Sequence, residues 1–93
     1  MRIYWANAIF SEADREYNKN SVSKLRSLGF EVVSPQEFLL NGSEEDPSPI
    51  DVFRKDTSAI LQSDALVACL DAETIDAGVA CEIGVAYSFG IPV

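Results

Sequence analysis

The chain predicts a small doubly wound α/β domain, a parallel sheet with helices on both faces. Three observations predict it. Short apolar runs alternate with helical stripes in the order strand, helix, strand, helix, strand, helix, strand. The run ALVACL at 65–70 is apolar throughout, as parallel strands covered on both faces are. Ninety-three residues suit one hydrophobic core, near the lower size limit for a domain that folds alone. The expected arrangement is of the flavodoxin-like or Rossmann-like kind, in which ligands sit at the carboxyl ends of the strands. Here that edge is formed by Ala6 to Phe10, Ser34 to Phe38 and Asp71 to Asp76.

Arg2 to Ala6 (RIYWA) is short, aromatic and apolar, and opens the domain as a buried strand. Ser11 to Leu28 sets Ala13, Tyr17, Val22, Leu25 and Leu28 among polar residues at approximately helical spacing, and Gly29 ends that helix. Phe30 to Val33 is the second strand, closed by Ser34-Pro35. Leu40 to Pro49 is rich in turn formers and acidic residues and reads as an exposed loop, a candidate flap. Ile50 to Gln62 forms a shorter helix, Ala65 to Leu70 the third strand, and Asp71 to Asp76 an acidic loop. A third helix runs from about Ala77 to Phe89, Gly90 stops it, and Ile91-Pro92-Val93 begins a fourth strand. A sheet that halts as its fourth strand starts leads us to expect a truncated chain, lacking a C-terminal strand and tail. It contains no internal repeat.

Composition narrows the chemistry. The chain is 47% hydrophobic and 24% charged, which is ordinary for a folded domain, and its net charge of −8 repels a phosphate backbone. Nucleic acid is therefore not an expected partner. Histidine is absent, which removes Ser-His-Asp and Cys-His nucleophiles and the commonest transition-metal ligand. Carboxylates must do any acid and base work. Cys69 and Cys81 lie in apolar segments without CxxC spacing and read as buried, reduced thiols, so neither a metal nor a cofactor is expected. The first loop lacks G-x-G-x-x-G and no Walker-type lysine loop exists, so a neutral ligand is expected rather than a phosphate. The N-terminus has no apolar signal region and no stretch is long enough to span a bilayer, which makes the cytoplasm the expected compartment and excludes a membrane partner.

One carboxylate stands out. Residues 77–93 carry a single charged side chain, Glu82, surrounded by Val79, Ala80, Cys81, Ile83, Val85 and Ala86. A charge in such surroundings costs several kcal/mol unless it is compensated. Glu82 falls in the second turn of its helix, where the positive end should help hold it ionised. Asp76, six residues earlier, forms D-x-G-x-x-x-E with it and also suits the helix N-cap ahead of Gly78. Convergence of the pair requires Asp76 to lie in the loop, because six helical positions would put the two side chains on different faces. Two carboxylates at the mouth of a small α/β sheet suggest work on a glycosidic bond. Asp56, beside Arg54 and Lys55, reads on its own as a solvated surface acid. Asp71 and Glu73 lie on the loop, Asp64 caps or tethers its strand, and Tyr4 is as suited to the core as to a site.

These residues resemble the nucleoside 2-deoxyribosyltransferase family over nearly the whole chain. IYWANAIFSEADREYN is similar to its opening strand, loop and helix, FRKDTSAILQSDALVACLD to its middle helix and strand, and DAGVACEIGVAYSFGIPV to its D-x-G-x-x-x-E-x-G-x-A signature. The resemblance implies exchange of the base on a 2′-deoxynucleoside through a deoxyribosyl-enzyme, with 2′-deoxynucleosides and free nucleobases as partners in a homo-oligomer. It implies that Glu82 is the nucleophile, that Asp76 and Asp56 handle the nucleobase and its proton, and that Tyr4 orients the nucleophile. Ala6, Asn7, Phe10, Asp76 and Gly78 would bind substrate, and no cofactor is implied. The loop ANAIF lacks the Gly-Pro often found there. Family members also continue into a further strand and a segment that completes a neighbouring subunit's pocket, so these 93 residues alone are expected to be inactive or weakly active. A nucleoside or nucleotide N-glycosidase and a catalytically idle nucleoside-binding domain are the alternatives.

Overall fold

The computed structural model describes residues 1–40 and 48–93, with the backbone alone for residues 39 and 40. Its elements are β1 (Arg2–Ala6), α1 (Glu12–Ser27), β2 (Glu31–Val33), α2 (Pro35–Leu40), α3 (Pro49–Leu61), β3 (Ala65–Ala68) and α4 (Ala77–Ser88). The expected flap at Leu40–Pro49 falls mostly at residues 41–47, outside the described residues. Among the described residues no helix is long and apolar enough to cross a membrane.

The three strands form a parallel sheet in the order β2-β1-β3. β1 lies in the centre because its residues are apolar on both faces, and the pleat sends alternate side chains to opposite sides. Tyr4 and Ala6, with Leu66 of β3, face one layer and pack against Ile60 of α3 and Val79 and Ala86 of α4. Trp5, with Val32 of β2, faces the other layer and packs against Val22 and Leu25 of α1. Helices therefore cover both faces, as the doubly wound reading expects.

Helix ends follow local chemistry. The Ser11 hydroxyl accepts the Asp14 amide hydrogen bond at 3.0 Å and starts α1, and Ser48 does the same for α3 ahead of Pro49. Both α1 and α4 end on a glycine at positive φ, Gly29 at 97° and Gly90 at 73°. In each, the residue after the glycine reaches back to the helix: the Phe30 amide donates to the Leu25 carbonyl at 3.3 Å and the Ile91 amide to the Ala86 carbonyl at 2.9 Å. This closure satisfies carbonyls that the helix leaves unpaired and needs a left-handed residue that glycine supplies without strain.

Three elements differ from expectation. α2 occupies a segment read only as the end of a strand. Ser34-Pro35-Gln36-Glu37 carries the residue types of a helix start, with proline at the first helical position, and the Glu37 amide donates to the Ser34 carbonyl at 3.0 Å. β3 ends at Ala68 rather than Leu70, because β1 ends at Ala6. One last bond, from the Cys69 amide to the Ala6 carbonyl at 2.9 Å, closes the ladder. The fourth strand is present only as a single bond from the Leu66 amide to the Pro92 carbonyl at 2.8 Å. Proline can accept that bond but has no N–H with which to extend the ladder.

Candidate active site

The start of α4 is built around Asp76. Its backbone is extended (φ −57°, ψ 133°) and its Oδ2 accepts the Val79 amide at 3.1 Å, so the side chain caps the helix from the preceding loop. Gly78 makes room for it: a Cβ there would lie 3.1 Å from Asp76 Oδ2, closer than an ordinary contact. One and a half turns later Glu82 projects from α4 toward the sheet, where the Tyr4 hydroxyl donates a hydrogen bond to its Oε2. Tyr4 is fully buried at the carboxyl half of β1, and its ring belongs to the core while its hydroxyl serves the carboxylate. The residue is therefore both core and site.

Asp56 approaches from α3. It is half-buried, and its Oδ1 is enclosed without any hydrogen-bond partner among the described residues. Arg54 and Lys55 beside it in sequence are exposed, so the expectation of a solvated acid fails: the helical turn sends the two cations to solvent and Asp56 inward. Burial pushes the Asp56 carboxyl up to about 6. The Tyr4 hydroxyl pulls it down, but that hydroxyl has one proton and Glu82 takes it.

Burial likewise pushes Glu82 up to about 7. The Tyr4 hydrogen bond works against that rise, and the nearby charges of Asp56 and Asp76 add to it. The help expected from the helix N-terminus does not keep Glu82 at its ordinary value, because burial dominates. The Tyr4 phenol is held well above its usual value, first by burial and then by the Glu82 charge, and it stays a proton donor.

The three carboxyls share one cleft of about 400 Å³ at the carboxyl end of the sheet, within the usual range for a small-molecule pocket, and Tyr4 lies buried behind it. Asp56, Asp76, Gly78 and Glu82 line it together with Asn7 and Phe10 of the β1–α1 loop. Ala6, expected to touch substrate, does not line the cleft; it is fully buried in the core beneath it. Asp71 and Glu73 are exposed outside the cleft. Asp64 lies at the opposite edge, where its Oδ2 accepts the Arg2 amide at 2.7 Å. Cys69 is half-buried, but Cys81 is exposed on the cleft wall rather than buried, since it lies on the outer side of α4 from the core residues Val79 and Ala86.

Sequence reasoning did not pick out Pro35, Phe53 and Thr57, which complete the wall. Phe53 carries a signal in retrospect: it stands three residues before Asp56, on the same helical face, and stays 55% exposed despite its size. Chemically, the cleft sets a carboxyl oriented by a phenol beside a second carboxyl, and both hold a proton to a higher pH than usual. Such pairs divide nucleophile and acid between two like groups.

Comparison with known proteins gives a family model, described as nucleoside 2-deoxyribosyltransferase, that matches residues 3–93. Among solved structures, a conserved protein from Enterococcus faecalis V583 is 45% identical with a TM-score of 0.87, and this chain aligns over 100% of its own length and 60% of that protein. The 2-deoxyribosyltransferase of the psychrotolerant bacterium Bacillus psychrosaccharolyticus is 31% identical with a TM-score of 0.86, covering 100% of this chain and 69% of that enzyme. No curated protein sequence matches significantly.

Proposed function

The chain belongs to the nucleoside 2-deoxyribosyltransferase family, and from that premise we propose that it moves 2-deoxyribose between the nucleobases of 2′-deoxynucleosides by a retaining route through a deoxyribosyl ester of Glu82. A Glu82 oxygen bonds to the anomeric carbon as the C–N glycosidic bond breaks, and the electron pair of that bond leaves with the base. The Asp56 carboxyl gives its proton to the departing nitrogen. A second base then attacks the same carbon, displaces the Glu82 carboxylate and returns a proton to Asp56. Two displacements restore the configuration.

Tyr4 aims one Glu82 oxygen and leaves the other for the sugar. Its hydrogen bond also favours the charged form that the nucleophile needs. Asp76, with one oxygen held by the Val79 amide, has its second oxygen for the base. The partners are 2′-deoxynucleosides and free nucleobases, in a homo-oligomer.

The observation that carries this reading is a tyrosine-oriented glutamate sharing a cleft with a buried, unpartnered aspartate oxygen. The protein is tested by mixing a 2′-deoxynucleoside with a different free base. The swapped nucleoside is expected, formed slowly by these 93 residues alone, which span 60% and 69% of the two solved chains. Free 2-deoxyribose would make the protein an N-glycosidase, and no product would make it a binding domain. Intact-mass measurement after deoxynucleoside alone should show a sugar adduct that Glu82→Ala removes. An adduct that survives the substitution would exclude Glu82 as nucleophile.

A further inference from the structure

On the opposite face of the sheet from Glu82 lies a polar group that the chemistry above does not use. Asn18 of α1 is 1% exposed, and every hydrogen-bonding capacity of its amide is filled. Its Oδ1 accepts from the Trp5 indole Nε1 at 2.9 Å and from Asn7 Nδ2 at 2.8 Å. Its Nδ2 donates to the Ala8 carbonyl at 3.0 Å and to Gln36 Oε1 at 2.9 Å. Gln36 Nε2 in turn donates to the Arg15 carbonyl at 3.1 Å, and Arg15 Nη1 donates to the Ile9 carbonyl at 3.1 Å.

Three of the four partners lie in two segments that wall the cleft, and the fourth, Trp5, anchors Asn18 to β1. Asn7, Ala8 and Ile9 belong to the β1–α1 loop, and Gln36 follows Pro35 at the start of α2; Asn7, Ala8, Ile9 and Pro35 all line the cleft, whereas Asn18 does not. Loops between a parallel strand and the next helix are where ligand contacts are made and where backbone freedom is greatest. A buried side-chain amide with four partners fixes such a loop far more firmly than one bond would, since losing any of them strands a buried donor or acceptor. The four bonds at the Asn18 amide are between neutral groups, and the one charged member, the Arg15 guanidinium, meets only the Ile9 carbonyl.

We propose that Asn18 is a positioning residue that holds the Asn7–Ile9 loop and the start of α2 in register, and so sets how well the cleft binds its nucleoside without taking part in the chemistry at Glu82. The proposal rests on the transferase reading. Its test separates the two.

Base exchange and its KM and kcat for the deoxynucleoside are measured for the protein and for Asn18→Ala and Gln36→Leu. Backbone amide hydrogen exchange at residues 7–10 is read in parallel. For Asn18→Ala the expected result is a KM raised at least tenfold with kcat within about threefold, and faster amide exchange confined to residues 7–10. Gln36 is half-buried and cutting it removes one of the four bonds to Asn18, so Gln36→Leu should fold and shift KM the same way by a smaller factor. It carries the test if Asn18→Ala does not fold. An unchanged KM in both folded variants, or a fall in kcat at constant KM, overturns the proposal and leaves the transferase reading intact. If the unsubstituted protein exchanges no bases, both fall together.

Discussion

The two faces of the β1–β3 sheet treat buried polar groups in opposite ways. On the α1 face, Asn18 meets four partners and the layer contains no buried charge. On the α3–α4 face, three carboxyl groups crowd one cleft, Asp56 has an oxygen with no partner, and both Asp56 and Glu82 are pushed toward neutrality by burial. The first arrangement is what stability alone selects. The second costs stability and is retained where charge must change hands, because poorly compensated carboxyls are the ones whose proton affinity lies near working pH.

The largest effect that tests this contrast falls on Asp56. Asp56→Asn removes the proton donor of the proposed mechanism and should lower kcat/KM by about 10²–10⁴-fold for a base that needs protonation to leave. The unsubstituted protein should give a bell-shaped pH–rate profile. Glu82, at about 7, holds its proton more tightly than Asp56, at about 6, so the reactive form with Glu82 charged and Asp56 protonated is the minor one, and the profile falls on either side of about 6–7 with limbs that belong to the coupled pair. Asp56→Asn should erase the alkaline limb alone. A profile that keeps that limb would break the division of roles between the two acids.

A smaller effect concerns stability. Glu82 rises from an ordinary 4.5 to about 7 in the folded protein. A raised carboxyl favours the folded state below about pH 4.5, and this contribution is lost as pH rises through about 7. Glu82→Gln keeps a partner for Tyr4 but carries no charge, so it should stabilise the protein at pH 8 and have little effect near pH 4. One pKa unit corresponds to about 1.4 kcal/mol, and solvent in the open cleft trims the expected gain to about 2 kcal/mol, or roughly 10 °C in Tm. Thermal unfolding at the two pH values checks it. An equal effect at both would mean that the charge is not the source.

The smallest effect is expected at an ion pair that looks strong on geometry. Arg26 donates to both Glu37 oxygens, at 2.9 and 2.6 Å, and to the Val32 carbonyl at 2.8 Å, tying α1 to α2 beside the Asn18 network. The hydrogen bonds raise the arginine and lower the Glu37 carboxyl. Both side chains are nearly half exposed, however, and solvent screens such pairs, so Glu37→Gln should cost about 0–1 kcal/mol in denaturant unfolding. A cost above about 2 kcal/mol would make this ion pair a principal tie of the α1 face.

Most of the architecture could be read from the residues. The apolar runs at 2–6 and 65–68, the cap residues Ser11 and Asp76 and the glycines at 29 and 90 each state a local preference that packing does not overrule. The short helix α2 was not read, because its Ser-Pro-Gln-Glu start was weighed as the end of a strand. Glu82 could be singled out because a lone charge among apolar residues is costly at any depth. Asp56 is named only by the family resemblance, because its neighbours Arg54 and Lys55 imitate a solvated face, and the packing of α3 against α4 turns the acid inward. Ala6 was misplaced for a simpler reason: the pleat sends it beneath the cleft floor, and a loop-edge position in sequence does not say which way the side chain points.

The hydrogen bond between Tyr4 and Glu82 joins residues 78 positions apart, and β1 must also await β3 before its second edge is covered. During synthesis the aromatic strand β1 therefore precedes its partner β3 by about sixty residues and keeps one edge unpaired until β3 is made. The proposed site is thus a long-range construction: Tyr4 meets Glu82 only where α4 packs against the sheet.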